Sequence, residues 1–299
     1  MTDTSGEEHA ERFTLLRPLL FTIAYELLGS ASEADDVLQD SYLRWARVDL
    51  DTVRDTRSYL ARLVTRQVLN ALRAGARRRE EYVGPWLPEP LLLDEHDPSA
   101  DVVLAESVST AMLVVLETLS PEERAVFVLR EVFGFGYDEI GSAVGKATAT
   151  VRQVAHRARA HVQSRRRRFE PVDEAVSTRI TTEFLAAAAS GDVGRLMARL
   201  APDVVWTADS DGKVVASRQP VRGAEKVARL MIGLLRGAGP SGRVEPASYN
   251  GGPAMVLYLG EHLEAVATLD IADGKITHFY VMRNPDKLAN VWTPRTVGR

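Results

Sequence analysis

The chain of 299 residues contains no cysteine, so neither a disulfide framework nor a thiolate zinc site can form. It has no apolar run near the ~20 residues that a membrane helix needs. The opening stretch MTDTSGEEHAER is polar and acidic and lacks the basic start and apolar segment of a secretory signal. A cytoplasmic protein without a membrane partner is therefore expected. An excess of positive charge is missing as well. The net charge is −4, which argues against a DNA binder driven by bulk charge. Neither a cofactor nor a metal is expected.

What the chain does have is segregated charge. Residues 31–55 hold seven acids against three arginines, whereas residues 62–79 hold six arginines and no acid. One acidic and two basic faces point to a protein partner as well as nucleic acid. The second basic face lies in Tyr137 to Arg168, which reads as two helices joined by a tight turn. Gly141 allows the helices to approach, and Gly145 takes the left-handed turn conformation that a β-carbon resists. Val151 and Val154 face inward. This spacing is the helix-turn-helix pattern. Its outer face carries Thr150, Arg152, Gln153, His156, Arg157 and Arg159, donors suited to phosphates and base edges.

Upstream, residues 8–28 give a helix with Phe13, Leu16, Leu20, Ile23, Ala24 and Leu27 on one stripe. Ser32 is the expected cap of the next helix. That helix buries Val37, Leu38, Tyr42 and Trp45 and leaves Asp35, Asp36, Gln39 and Asp40 as a polar group. A third helix over residues 56–79 turns Leu60, Leu63, Val64, Val68 and Leu72 inward and Arg62, Arg66, Asn70 and Arg73 outward. Residues 81–100 form a linker. Three prolines and a glycine fall within Gly84 to Pro90, which excludes regular helix there. Trp86, Leu87 and Leu91 to Leu93 need a cover, because burying such side chains is worth about 1.5–3 kcal/mol each. A single helix is expected over residues 101–118. Next, Ser120, Pro121 and Glu123 make a capping box with proline in the first turn.

The order of these segments, with SEADDVLQDSYLRW and then LSPEERAVFVLREVFGFGYDEIGSAVG, resembles the extracytoplasmic-function class of bacterial sigma factors. The resemblance spans residues 8–168, with Gly141 where many members have alanine. It implies two all-α domains: a helical bundle (region two, residues 1–80) and, beyond the linker, a helix-turn-helix domain (region four, 101–168). Asp35, Asp36, Gln39 and Asp40 would then contact core RNA polymerase. Arg62, Arg66, Asn70 and Arg73 would read and melt the minus-ten element of promoter DNA, and the helix-turn-helix face would read the minus-thirty-five element. No reaction is catalysed in this reading.

Residues 171–290 add a further domain, followed by a tail at 291–299. Two helices flank Gly191. Strand-like runs follow at 204–207, 213–216, 244–249, 254–259, 263–271 and 276–282, with a helix over 222–236. Ser210-Asp211-Gly212 and Asp273-Gly274 mark turns. Helices on an antiparallel sheet make an α+β fold. The pattern F-L-A-A-A-A-S-G-D followed by L-A-P-D-V-V-W resembles the SnoaL-like, NTF2-like cone. Sigma factors with such an extension carry W-L-P-E-P in the linker, matched here by Trp86, Leu87, Pro88, Glu89 and Pro90. They also carry N-P-D-K-L after the last strand, matched by Asn284, Pro285, Asp286, Lys287 and Leu288. Their D-G-G-G-K motif is partly matched by Asp209, Ser210, Asp211, Gly212 and Lys213. The apolar linker needs a cover and a folded domain follows downstream, so Trp86 to Leu91 is expected to dock against the extension, near the loop at Asp209–Lys213 or the segment at Asn284–Leu288. A small-molecule ligand or protein regulator at the extension is a second reading. Catalysis by Asp209, Asp211, His262, Asp270 or His278 is a third. A stand-alone helix-turn-helix regulator is the alternative for the whole chain.

Overall fold

The computed structural model describes residues 4–94, 102–165 and 174–299. The expected linker residues 95–100 and arginines 166–168 lie outside them. α1 (Thr4–Leu28) buries Phe13, Leu20, Ile23, Ala24 and Leu27 of the expected stripe, with Leu16 half-buried at its margin. α2 (Ala31–Trp45) starts earlier than expected. Ser30, not Ser32, is its cap: its backbone is extended and its hydroxyl accepts from the Glu33 amide at 3.1 Å. Ser32 already lies inside the first turn. Val37, Leu38 and Trp45 are buried under α1 and α3 (Thr56–Glu80), with Tyr42 packed at the margin.

The single helix expected over 101–118 is two helices, α4 (Val102–Ser107) and α5 (Thr110–Leu116). Serines at the break bond the backbone and end the first helix. Ser107 bonds Leu104 O at 2.9 Å, Ser109 bonds Glu106 O at 2.7 Å, and Ser109 then accepts from Met112 N. α6 (Pro121–Phe127) opens with the expected Ser120–Glu123 capping box and runs into a wide π turn, Val128–Val132. α7 (Tyr137–Val144) and α8 (Thr148–Arg165) follow. Leu20, Leu38, Val64, Val126 and Val154 belong to one apolar core, so α1–α3 and the later helices are packed together.

The C-terminal half holds α9 (Glu174–Ser190), α10 (Val193–Ala198), β1 (Leu200–Asp209), β2 (Val221–Arg222), α11 (Ala224–Ala238), β3 (Gly242–Tyr249), β4 (Gly252–Leu259), β5 (His262–Ala272), β6 (Lys275–Met282) and α12 (Pro285–Leu288). The sheet order is β2-β1-β6-β5-β4-β3, with β1 parallel to β6 and the other pairs antiparallel. The strand expected at 213–216 does not form. Asp211 and Gly212 both adopt positive φ and turn the chain away. The sheet edge beside β1 is taken by Val221 and Arg222 instead.

Side chains alternate across a strand, so the sheet has two faces. Trp206, Leu269 and Phe279 face Phe184 of α9 and Met231 of α11. Val256, Val266, Tyr280 and Met282 face the other way, under Leu87 of the linker, Leu288 and Val291. The stretch expected as a tail is anchored: Val291 and Val297 are each 2% exposed, and Arg295 bridges to Leu93 in parallel. No described helix is long and apolar enough to cross a membrane.

Candidate functional site

The helix-turn-helix closes as its sequence dictates. Gly145 has φ 73°, and a Cβ on Gly141 would sit 2.7 Å from Lys146 O. Val151 and Val154 are buried, and Thr150, Arg152, Gln153, His156 and Arg157 are exposed along α8. Arg159 differs: it is half-buried and its guanidinium lies 2.5 Å from Glu131. Arg152 and Arg130 both lie over the Tyr137 ring, at 5.6 and 4.6 Å.

The candidate DNA face of α3 is turned toward α7. Arg66 donates to Ser142 O at 2.6 Å. Arg57 donates to Phe133 O and lies 4.3 Å from the Phe135 ring centre. Ser58 donates to Glu139. Arg73 lies 3.9 Å from Glu122 and 3.3 Å from Asn70 Oδ1. Arg62 is half-buried over the Tyr59 ring. The helix-turn-helix thus occupies part of the surface assigned to promoter reading. On α2, Asp36, Gln39 and Asp40 are exposed, whereas Asp35 meets Arg17 at 3.0 Å and Arg295 at 2.7 Å.

The linker motif and the two C-terminal motifs come together. Asp209, fully buried, is the centre. Its Oδ2 accepts from Leu87 N at 2.8 Å and pairs with Lys287 Nζ at 2.8 Å. Its Oδ1 accepts from the Tyr82 hydroxyl at 2.5 Å. Burial, and then the Asp209 carboxylate, push the Tyr82 pKa up, so the phenol keeps the proton it donates. Lys287 also donates to Leu87 O at 2.6 Å and lies over the Trp86 and Tyr82 rings at 4.1 and 4.9 Å. Such a desolvated cation gains from each ring face. Asn284 donates to Tyr82, Asp211 accepts from Val83 N, and Lys213 bridges Asp286 at 2.5 Å and Asp211 at 3.5 Å. Gly212 packs beside Val83, where a Cβ would lie 3.3 Å from its side chain.

The other side of the linker motif grips α1 and α2. A Cβ at Gly29 would lie 2.4 Å from the Trp86 ring, so only glycine admits the indole. Pro88 and Pro90 are buried. The Glu89 carboxylate accepts from Ser30 Oγ at 2.7 Å, Ala31 N at 2.8 Å and Ser32 N at 3.2 Å. A carboxylate there satisfies the free amides and the dipole of α2.

Sequence reasoning missed Tyr82 and Asn250. Asn250, at the tip of the β3–β4 hairpin, donates to the Tyr25 hydroxyl at 2.7 Å and Val108 O at 2.9 Å. It exchanges two further bonds with Leu91. The Asn-Gly-Gly turn was its only local signal. Below it Glu26 is wholly buried, accepts from Ser107 at 2.6 Å, and has its carboxyl pushed up to about 8 by desolvation.

The acid–base candidates of the third reading are spread from the end of β1 to β5 and β6. Asp209 and Asp211 are engaged by the linker, His262 is exposed, Asp270 accepts from Tyr280, and His278 bonds Thr207. The inside of the sheet is filled by Phe184, Trp206 and Phe279, with ring centres 5.3–5.4 Å apart.

Residues 13–78 match the Sigma-70 region 2 family and residues 109–162 the Sigma-70 region 4 family. The ECF RNA polymerase sigma factor SigJ of Mycobacterium tuberculosis is 35% identical over 286 residues, covering 92% of this chain and 91% of that protein. The probable ECF RNA polymerase sigma factor SigI of the same species is 31% identical over 276 residues, covering 91% and 92%. The crystal structure of M. tuberculosis SigJ superposes with a TM-score of 0.75 at 33% identity, covering 94% of this chain and 98% of that one. With both sigma regions matched and the likeness running into the sheet domain, the chain belongs to the extracytoplasmic-function sigma factors of RNA polymerase.

Proposed function

We propose that this sigma factor is held closed by its own C-terminal domain, which grips the linker and keeps the helix-turn-helix over α3. In the open state Asp35, Asp36, Gln39 and Asp40 meet core polymerase. Arg62, Arg66, Asn70 and Arg73 then take the minus-ten element, and Thr150, Arg152, Gln153, His156, Arg157 and Arg159 take the minus-thirty-five element. The buried Asp209, shared between Leu87 N and Lys287, is the observation that carries this reading. It joins the domain to the segment between the two sigma regions. The domain serves as a regulator rather than a catalyst. A small molecule or protein regulator has a point of action at the cleft of about 430 Å³ that Val83 to Pro85 share with the loop at 210–218. Membership of the family gives the acidic group on α2 a use that a stand-alone regulator lacks.

Run-off transcription with purified core polymerase tests the reading. The full chain carrying Lys287→Met is expected to give several-fold more promoter-specific transcript than the wild type. Equal output from both, with the variant still folded, would count against control by the linker. Assigning about six phosphate contacts to the two DNA faces implies a loss on the order of 10³ in promoter affinity between 50 and 200 mM salt.

A further inference from the structure

A second contact, apart from the linker lock, is made by the end of the chain. Beyond α12 it returns to α1 and α2. Val297 is buried in the core around α1. Gly298 N donates to Thr22 Oγ1 at 3.0 Å, and a Cβ on Gly298 would lie 2.9 Å from Pro18. Arg295 N donates to Leu92 O at 2.9 Å, and Arg295 O accepts from Asp94 N at 3.1 Å. These bonds aim the Arg295 guanidinium across the Phe21 ring, at 5.5 Å, onto Asp35 Oδ2. Asn290 adds a bond to Ser32 Oγ at 3.4 Å.

We infer that residues 290–298 are a strap that competes with core polymerase for Asp35 at the start of α2. The inference rests on the reading of Asp35 as a polymerase contact. Each oxygen of that carboxylate already holds an arginine, Oδ1 that of Arg17 and Oδ2 that of Arg295. Arg17 belongs to α1 and stays with α2 in any open state. Arg295 sits on a segment joined to the domain that must let go. A cationic group on polymerase gains Oδ2 only when the strap leaves. The contact over Asp35 is the part suited to leaving: the ion pair is 20% and 28% exposed at its two side chains, whereas Asp209 in the linker lock is fully buried. Water and salt therefore weaken this ion pair far more than the one in the lock. Asp36, Gln39 and Asp40 stay exposed with the strap in place, so polymerase can engage those three before the strap is displaced.

The test measures affinity of the full chain for purified core polymerase, for wild type, Arg295→Ala, Arg295→Lys and Val297→Asp. Arg295→Ala is expected to tighten binding about threefold, the weight of one partly exposed ion pair. Arg295→Lys retains the wild-type value because the cation is kept. Val297→Asp releases the anchor and tightens binding about tenfold, in line with the loss of one buried valine. If Val297→Asp loses its cooperative unfolding transition, the arginine pair decides alone. Unchanged or weaker binding by Arg295→Ala overturns the strap, since Arg295 would then be idle or would orient Asp35 for polymerase. If Asp35→Asn added to Arg295→Ala binds as tightly as Arg295→Ala alone, the Asp35 reading beneath the strap is overturned.

Discussion

Cations on the two sides of the linker are held in opposite ways. Arg66, Arg73, Arg152 and Arg157 are exposed, and the two on α3 lean on a carbonyl oxygen and a half-exposed glutamate. Lys287 is 10% exposed and lies between a fully buried carboxylate, a backbone carbonyl and two aromatic rings. An arginine in water exchanges one partner for a DNA phosphate at little cost. A buried ion pair cannot lose one member without stranding the other. In the proposed reading the α3 contacts with α6 and α7 are the ones given up, whereas the linker contacts hold the closed state until a partner supplies the energy.

The strongest way to break this contrast is Lys287→Met. Leaving Asp209 buried and unpaired should cost about 3–5 kcal/mol, read as a lower denaturant midpoint and faster proteolysis within residues 81–94. Adding Asp209→Asn should recover part of the loss. Recovery of nothing would mean that Lys287 acts through packing rather than charge.

Glu26 offers the next effect, in pH. Its folded pKa, raised by burial from an ordinary 4.5 to about 8, makes the folded state hold a proton that the unfolded state releases. Its contribution is fully present below about pH 4.5 and is lost as pH rises toward 8. Glu26→Gln should remove that slope, so urea midpoints at pH 5 and pH 8 should converge relative to wild type. An unchanged slope would place the titrating group elsewhere.

Glu89→Ala removes the carboxylate that caps α2. A loss of about 1–2 kcal/mol, typical of cap removal, should appear in thermal unfolding and in slower-exchanging amides at residues 31 and 32 becoming fast. The smallest effect is expected at Arg66→Ala, below about 1 kcal/mol on stability, with promoter binding reduced instead. A large stability loss there would erase the contrast between the two sides.

The elements were mostly legible because their causes are local. Gly145, Val151 and Val154 announce the helix-turn-helix within ten residues, and Ser120 to Glu123 announce the start of α6. Errors arose where side chains choose between near-equal local partners. Ser30 outcompeted Ser32 as a cap because the Glu89 carboxylate lies across both and the turn at Gly29 sets Ser30 extended. Ser107 and Ser109 split one expected helix into two. The loop at 213–216 reads as strand by composition, yet the turn at Asp211 and Gly212 denies it a neighbour.

By itself the sequence determined the kinds of domain, the apolar stripes and the chemistry of each face, since periodicity and turn residues act over one or two turns of chain. It also marked the linker and C-terminal motifs, through resemblance. Only the tertiary structure decided what they do to one another. Asp209 meets Leu87 across 122 residues, Asn250 meets Tyr25 across 225, and Arg295 meets Asp35 from the far end of the chain. No periodicity encodes such meetings. Asp209 and Asn250 are buried and must find partners wherever the packing of three domains places them, and the half-buried Arg295 is carried to Asp35 by the chain end anchored beside it.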